Sequence, residues 1–323
     1  MPRKMKRNPI PSSNQVEGNR KIHPIIIYPF SHPTDERHLR KLYGAIENWL
    51  KGNNHNYRRP VTVLNRQTCR RAIEDPKKRA SFEAVMEKIV RPVSDVVATW
   101  AVDTCQMWLT GFGQAFDQCN RNDIFWLIPG DFHYDSATGE EALRKLPGLP
   151  HDVWETDCEL CLGEIQVPPN SAKQLIDTYG TYGLLYNWFP AEAQALREIT
   201  DKPRTEFFAI SHDYLRTALI PERWYGYEQT IVLLLQGFKG VKQMRNIHKI
   251  ALGRIEDDPS SRSTLSGAMQ QIERTERVLK LFWRELNERE DPNWPDTFRK
   301  LDSQSEQIRG AALVIMQQTL RLN

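Results

Sequence analysis

The chain lacks any apolar run long enough to cross a bilayer. The longest, IVLLL at 231–235, falls far short of the roughly 20 residues a membrane helix needs. The basic start, MPRKMKR, leads into neither an apolar core nor a small-residue cleavage site, which reads against a secretory signal. An excess of one charge is also missing: 44 Lys and Arg face 41 Asp and Glu, leaving +3. That is too little for a nucleic-acid coat, though it suits a phosphate-bearing ligand. Cysteine is sparse and odd in number, with five in all (Cys69, Cys105, Cys119, Cys158, Cys161). A disulfide framework is excluded, and a reducing, cytoplasmic setting is expected. Cys158 and Cys161 form a C-x-x-C, but no second pair or nearby histidine pair completes a zinc site. The motif lies in ELCLGEIQV, which looks like a strand, whereas a redox pair belongs at a helix N-terminus. Both cysteines read as small core residues. There is no internal repeat.

What is present is enough for one large domain or two small ones in 323 residues. Residues 1–21 are basic, polar and aperiodic, and read as a loose arm. IIIYPF at 25–30 is the first strand, and residues 35–50 carry Leu39, Leu42, Tyr43, Ile46, Trp49 and Leu50 at helical spacing. VTVL at 61–64 is a second strand, so a right-handed βαβ unit with parallel strands is expected. Residues 81–119 read as mostly helical with a break at Pro92, and TGFGQAF places Gly111 and Gly113 at the entry of a short helix. LPGLPHD at 146–152 reads as a loop. Further strands are expected at 159–167 and 206–210, with Ser211 capping the helix that follows.

The chain is organised around NRNDIFWLIPGDFHYD at 120–135. An apolar run bounded by turn residues is a strand buried on both faces, as in a parallel sheet covered by helices. Ligands of such sheets sit just beyond the carboxyl ends of the strands. Asp131 follows the strand there, and Gly130 leaves room beside it. One carboxylate at that place suits a divalent cation also held by phosphates. An Asp after Gly is equally a common turn or helix-cap residue. Strands 25–30, 61–64 and 124–128 are expected to be central neighbours. Beyond 240 the segment RNIHKIALGR is basic and strand-like. Two amphipathic helices, 264–287 and 297–321, then predict an antiparallel hairpin over 260–323 that packs on the sheet domain or builds a homo-oligomer.

Across residues 22–255 the order of features resembles a GT-A type nucleotide-sugar glycosyltransferase. The likeness is carried by GFGQAFDQCNRNDIFWLIPGDFHYD, TEFFAISHDYLRTAL, WYGYEQTIVLLL and RNIHKIALGR. It implies an α/β fold, a mixed and mainly parallel Rossmann-like sheet flanked by helices, with the C-terminal hairpin added. It also implies transfer of a sugar from a nucleoside-diphosphate donor to a small or lipid-surface acceptor, assisted by Mg²⁺ or Mn²⁺. Pro129 stands where the first acid of an Asp-x-Asp motif would be, and Glu228 is a single acid where many members have two.

On this resemblance Asp131 holds the metal and the donor diphosphate, and His248 is a second candidate metal ligand. Glu228, an acid among aromatics, is the candidate general base on the acceptor; an acid in a first helical turn equally complements the helix dipole. Asn65, Gly111, Gly113 and Gly130 are candidate donor contacts, with local turn geometry as the competing explanation. Lys173, Tyr182 and Trp188, in the aromatic and glycine-rich stretch 170–189, are candidate acceptor contacts or ordinary amphipathic core. A nucleotidyltransferase would want a glycine-rich basic loop after the first strand, where PFSHPTDER stands instead. A non-catalytic scaffold is the other alternative.

Overall fold

The structure is a computed structural model describing residues 20–27, 36–52, 56–66, 74, 76–100, 104–218, 229–240, 247–255 and 264–320. The strands are β1 Ile22–Ile27, β2 Val61–Asn65, β3 Asp95–Thr99, β4 Ile124–Pro129, β5 Leu160–Gln166, β6 Phe208–Ser211 and β7 Ile247–Arg254. They form one sheet in the order β3-β2-β1-β4-β6-β5-β7. All neighbours run parallel except β6, which is antiparallel to both β4 and β5.

The central strands are buried and mostly apolar, with His23 and Thr62 as buried polar exceptions, because both faces are covered. Ile25, Ile27, Phe125 and Leu127 point to one face. Ile26, Trp126 and Ile128 point to the other. The second face is packed by α1 (Glu36–Gly52), α2 (Pro76–Val85), α4 (Ala137–Lys145) and α5 (Gly148–Thr156). The first face is packed by α3 (Thr104–Phe116) and by a continuous helical run. That run comprises α6 (Ala172–Leu175), a π-helical stretch Ile176–Thr181 and α7 (Tyr182–Trp188). Also on this side are α8 (Pro190–Ile199), α10 (Gln229–Gly240) and the C-terminal pair α11 (Leu265–Asn287) and α12 (Trp294–Leu320). The short α9 (His212–Ala218) follows β6, and the Ser211 hydroxyl accepts the Tyr214 N–H at 3.3 Å as its cap.

The expected trio of central strands stands over the described residues, where β1 pairs with both β2 and β4; residues 28–30 of the expected first strand lie outside them. Two local readings are corrected. Residues 95–99 are not helix but strand β3, paired in parallel with β2 from Val61↔Asp95 to Asn65↔Thr99. The helix before it ends in a π-helical turn, Met86–Val90, ahead of Pro92. The Ser94 hydroxyl then bonds Thr62 Oγ1 at 2.7 Å, and Arg59 Nε donates to Asp95 at 2.8 Å. Residues 148–152 are not loop but the first turn of α5, where Pro150 is tolerated because early helical N–H groups have no intrahelical acceptor.

The C-terminal hairpin is built into the core. Ile272, Leu279, Phe282 and Met316 are fully or almost fully buried in the cluster that holds Trp188, Phe189 and Leu184. Polar ties reinforce it. The Trp188 indole N–H donates to Ser305 Oγ at 2.7 Å. Arg204 donates to buried Asp177 at 2.5 and 2.9 Å and to Gln271 of α11 at 3.1 Å. Glu276, also buried, takes Lys280 at 2.6 Å and Arg309 of α12 at 2.7 Å.

Candidate functional site

The strand order places a switch point in the sheet. From β1 the chain builds outward through β2 to β3, then crosses back to lay β4 on the other side of β1. Ligands of open α/β sheets bind outside the carboxyl ends of the strands at such a point. Gly130 and Asp131 stand there, directly past the end of β4. Gly130 is buried, and its N–H extends the pairing by donating to the Ile27 carbonyl at 2.5 Å. Gly130 therefore offers steric room rather than a spare donor.

The turn beyond it is tightly determined. Tyr134 is fully buried, and its hydroxyl donates to the Pro129 carbonyl at 2.7 Å. Burial, then the Asp131 carboxylate and the Tyr43 phenol, push the Tyr134 pKa well above the ordinary phenol value. Ser136 caps α4, accepting the Gly139 N–H at 3.0 Å. Gly139 has to be glycine, because a Cβ there would stand 2.1 Å from the His133 carbonyl oxygen. With Ser136 as the cap, the helix-cap explanation of Asp131 falls. Asp131 is half-buried; Asp135 and His133 are exposed, and the His133 ring lies 6.1 Å from that of buried His38.

Asn65 joins Asp131 at this edge. Ile27 pairs with both Val63 and Pro129, so Asn65 and Asp131, each two residues further on, stand level. With β1 between them they are separated by about 10 Å of sheet. Two neighbours that pattern reading passed over sit beside Asn65. Arg66 is exposed and lies over the ring of Trp100, which follows β3 and is 55% exposed; the guanidinium is 6.0 Å from the ring centroid. The sequence carried no signal for them, since Trp100 sits among Ala98, Thr99, Ala101 and Val102 and its spacing fits a helix.

Several predicted site residues are elsewhere. Gly111 and Gly113 are not at a helix entry but in the second half of α3. Gly111 is where the helix touches the sheet: a Cβ would lie 2.5 Å from Ile25 Cγ2 and 3.1 Å from Val63 Cγ2. Its role is close packing, and Gly113 faces open space on the exposed side. Gly111→Ala is expected to cost about 1–3 kcal/mol as overpacking, despite the better helix propensity of alanine; chemical denaturation of the variant measures it. Gly113→Ala, by the same propensity, is expected to gain a few tenths to about 1 kcal/mol.

Tyr182 and Trp188 are not an acceptor wall. Both are 2% exposed. The Tyr182 hydroxyl donates to the Thr200 carbonyl, and the Arg197 guanidinium lies 4.5 Å from its ring centroid. Trp188 packs between Trp283 and Phe298, with centroids 5.7 and 5.3 Å away. Trp188 joins α7 to the hairpin, and Tyr182 ties α7 to the end of α8. Lys173 lies half-buried on α6, on the side of the hairpin. Glu228 lies outside the described residues.

His248 is also displaced from its predicted partner. It lies on β7, level with Cys161 of β5, Ala209 of β6 and Trp126 of β4. Asp131 is five residues beyond Trp126 and three strands across, a separation of about 20 Å by strand geometry. His248 therefore cannot share an ion with Asp131. Its neighbours are on α5 and before β5: the Asp152 carboxylate takes His248 Nδ1 at 2.7 Å and the Cys158 thiol at 3.5 Å. Burial and the Asp152 charge outweigh a Thr156 contact and push the Cys158 thiol up to about 12. Burial, Asp152 and Cys158 raise the Cys161 thiol too. Thiols held so firmly protonated are poor nucleophiles. Cys158 donates to the carboxylate rather than to the imidazole, so the group is not a Cys–His nucleophile pair.

The carboxyl edge therefore gathers one half-buried carboxylate, Asp131, the end of β2 at Asn65, and the exposed Arg66 and Trp100. Among the described residues no group of three metal-ligating side chains includes Asp131. It fits a divalent cation as a single carboxylate, with phosphate oxygens and water completing the shell, the way Mg²⁺ is commonly held. Among the described residues no helix is long and apolar enough to cross a membrane. Comparison of the chain with known proteins gives no matching family model and no matching curated protein.

Proposed function

We propose that the chain is a nucleotide-sugar-dependent glycosyltransferase of GT-A type, with its donor at the carboxyl edge between β1 and β4. The observation that carries this reading is the position of Asp131: directly past the strand at the switch point, beside a glycine, and level with Asn65. The mixed, mainly parallel sheet with helices on both faces is the architecture that the sequence resemblance implies. A donor laid along this edge would place its diphosphate over Gly130 and its nucleoside toward Asn65, with the exposed Trp100 ring beyond as an apolar platform for a base. Mg²⁺ or Mn²⁺, held by Asp131 together with the phosphates, would supply neutralisation of the departing nucleotide's charge. Asp131 would fix the diphosphate against the strand ends, and Gly130 would keep the approach open. Glu228 would take the proton of the acceptor hydroxyl.

Titration calorimetry with UDP and GDP in the presence of Mn²⁺ tests this. Asp131→Asn is expected to weaken binding roughly 10- to 100-fold, the loss of a charge-assisted contact of about 1.5–3 kcal/mol. It should also abolish the gain from added Mn²⁺. Unchanged affinity in the variant would defeat the reading. The second reading, a non-catalytic GT-A-like scaffold that binds a partner, is favoured by the single carboxylate, with Pro129 in place of the first acid. It predicts no metal-dependent binding of UDP or GDP.

A further inference from the structure

The amino edge of the sheet carries a second constellation, far from the donor edge and independent of it. Asp152 comes from α5, Cys158 from the link into β5, and His248 from the edge strand β7. Their ligand atoms all lie within 4.8 Å of one another. Cys161, three residues after Cys158, is the register partner of His248 across β5 and β7. Parallel partners project to the same face, and Cys161 and Cys158 both lie on the face that α5 covers. Both cysteines are free thiols, buried to 0% and 1% exposure, whereas the side chains of His248 and Asp152 are 38% and 24% exposed. The soft ligands are thus inside and the others stand at a solvent entry.

We propose that Asp152, Cys158 and His248 form a structural zinc site, which Cys161, on the same face but outside that 4.8 Å group, completes as fourth ligand by turning its side chain. Two sulfurs, one imidazole and one carboxylate are a donor set for Zn²⁺, not for Mg²⁺ or Mn²⁺, which prefer oxygen. With metal–ligand bonds of about 2.0–2.3 Å, tetrahedral ligand atoms stand about 3.3–3.8 Å apart. The Cys158 to Asp152 separation of 3.5 Å already matches, while the 2.7 Å His248 to Asp152 contact is a hydrogen bond that the ion replaces. Binding displaces the protons of both thiols to solvent and uses the Nδ1 lone pair of the imidazole tautomer protonated on Nε2. The ion would bind β7, the last strand of the sheet, to β5 and α5.

The full-length chain, reduced and stripped with chelator, would be titrated with Co²⁺ and then Zn²⁺. A single equivalent of Co²⁺ should give thiolate-to-cobalt charge transfer in the near ultraviolet, and Zn²⁺ should displace it while Mg²⁺ does not. Outer-shell changes cost metal sites about 10–100-fold in affinity, so loss of a ligand in His248→Ala should cost at least about a hundredfold. His248 is partly exposed, so this variant tests the site without opening the core. Cys158→Ser and Cys161→Ser should each remove about half of the charge-transfer intensity expected for two thiolates. Absence of charge transfer at one equivalent would overturn the site, as would a His248→Ala loss below about threefold. Intensity unchanged by Cys161→Ser would overturn the four-ligand assignment.

Discussion

A chain ended at Asp258 is expected not to fold. The missing residues include Ile272, Val278, Leu279, Phe282 and Met316, all buried in the cluster that covers one face of the sheet. At about 1.5–3 kcal/mol for each large side chain buried, these five account for roughly 8–15 kcal/mol. That is comparable with the whole net stability of a domain, about 5–15 kcal/mol. The loss has no local remedy, because truncation also strips the partners of Trp188, Phe189, Gly180 and Gly183. The two glycines exist to admit Ile272 and Ile308: a Cβ on either would come within 2.8 Å of those side chains. Arg204 would lose Gln271 as well. The measurements are soluble yield and the cooperativity of thermal unfolding. A soluble, cooperatively melting product would show that the hairpin is an appendage, contrary to its packing. Gly183→Leu in the full chain is the milder version. It should separate α7 from α12 and lower the melting temperature without loss of the fold.

The sheet was legible in the sequence where burial alone dictates the pattern. IIIYPF, VTVL and IFWLIP are almost wholly apolar, Thr62 excepted, as strands covered on both faces are. Their ends mark the switch point, so Gly130, Asp131 and Asn65 could be placed at one edge before any coordinates. β3 was not legible, because at the sheet's margin it is only half-buried and Val96, Val97 and Trp100 also fit a helical spacing. What makes it a strand is its partner: Thr62 meets Ser94 and Arg59 meets Asp95. Gly111 was misplaced for a related reason. A glycine that opens a phosphate loop and one that lets a helix approach a strand look alike until the helix bounds are known. Tyr182 and Trp188 show the same ambiguity for amphipathic aromatics, resolved here by Thr200 and Ser305.

The grouping at the amino edge lay beyond pattern reading altogether. Cys158 and His248 are brought together by the register of β5 on β7, across an intervening antiparallel excursion through β6. His248 was readable only as a candidate ligand by type, and its neighbours Asp152 and Cys158 were not readable at all. A C-x-x-C is judged by what lies near it in sequence, and here its spatial neighbours come from a helix before it and a strand long after it.

Asp123→Ala is expected to destabilise the protein by about 2–5 kcal/mol, because it leaves two backbone N–H groups and a buried His23 ring nitrogen without their partner, at about 1–3 kcal/mol for each buried group left unsatisfied. Asp123 is fully buried at the turn into β4. Its carboxylate accepts from the Lys21 N–H and the Asn120 N–H, each at 2.9 Å, and meets His23 Nε2 at 2.7 Å. Burial alone would raise its pKa. The His23 contact and the two backbone donors outweigh burial and hold it below the ordinary carboxylate value. The pH dependence follows from that direction. Between the folded pKa and the unfolded value of about 3.9, the unfolded chain binds a proton that the folded chain does not, so stability rises with pH across that window. The contribution is complete above about pH 4–5 and is lost as pH falls through the folded pKa. Asp123→Asn keeps one acceptor oxygen but cannot ionise. It should recover part of the loss and remove this share of the acid sensitivity. Urea denaturation at neutral pH and near pH 3 separates the two effects. The consequence reaches the donor edge through a single strand. Asp123 fixes where β4 begins against β1, and the register that runs from Ile22↔Ile124 to Ile27↔Pro129 delivers Gly130 and Asp131 to the switch point. In Asp123→Ala, nucleotide affinity should therefore fall along with stability. In Asp131→Asn, affinity should fall while stability holds. A variant pair that lost affinity and stability in step at both positions would mean that Asp131 is structural, like Asp123, and not a ligand contact.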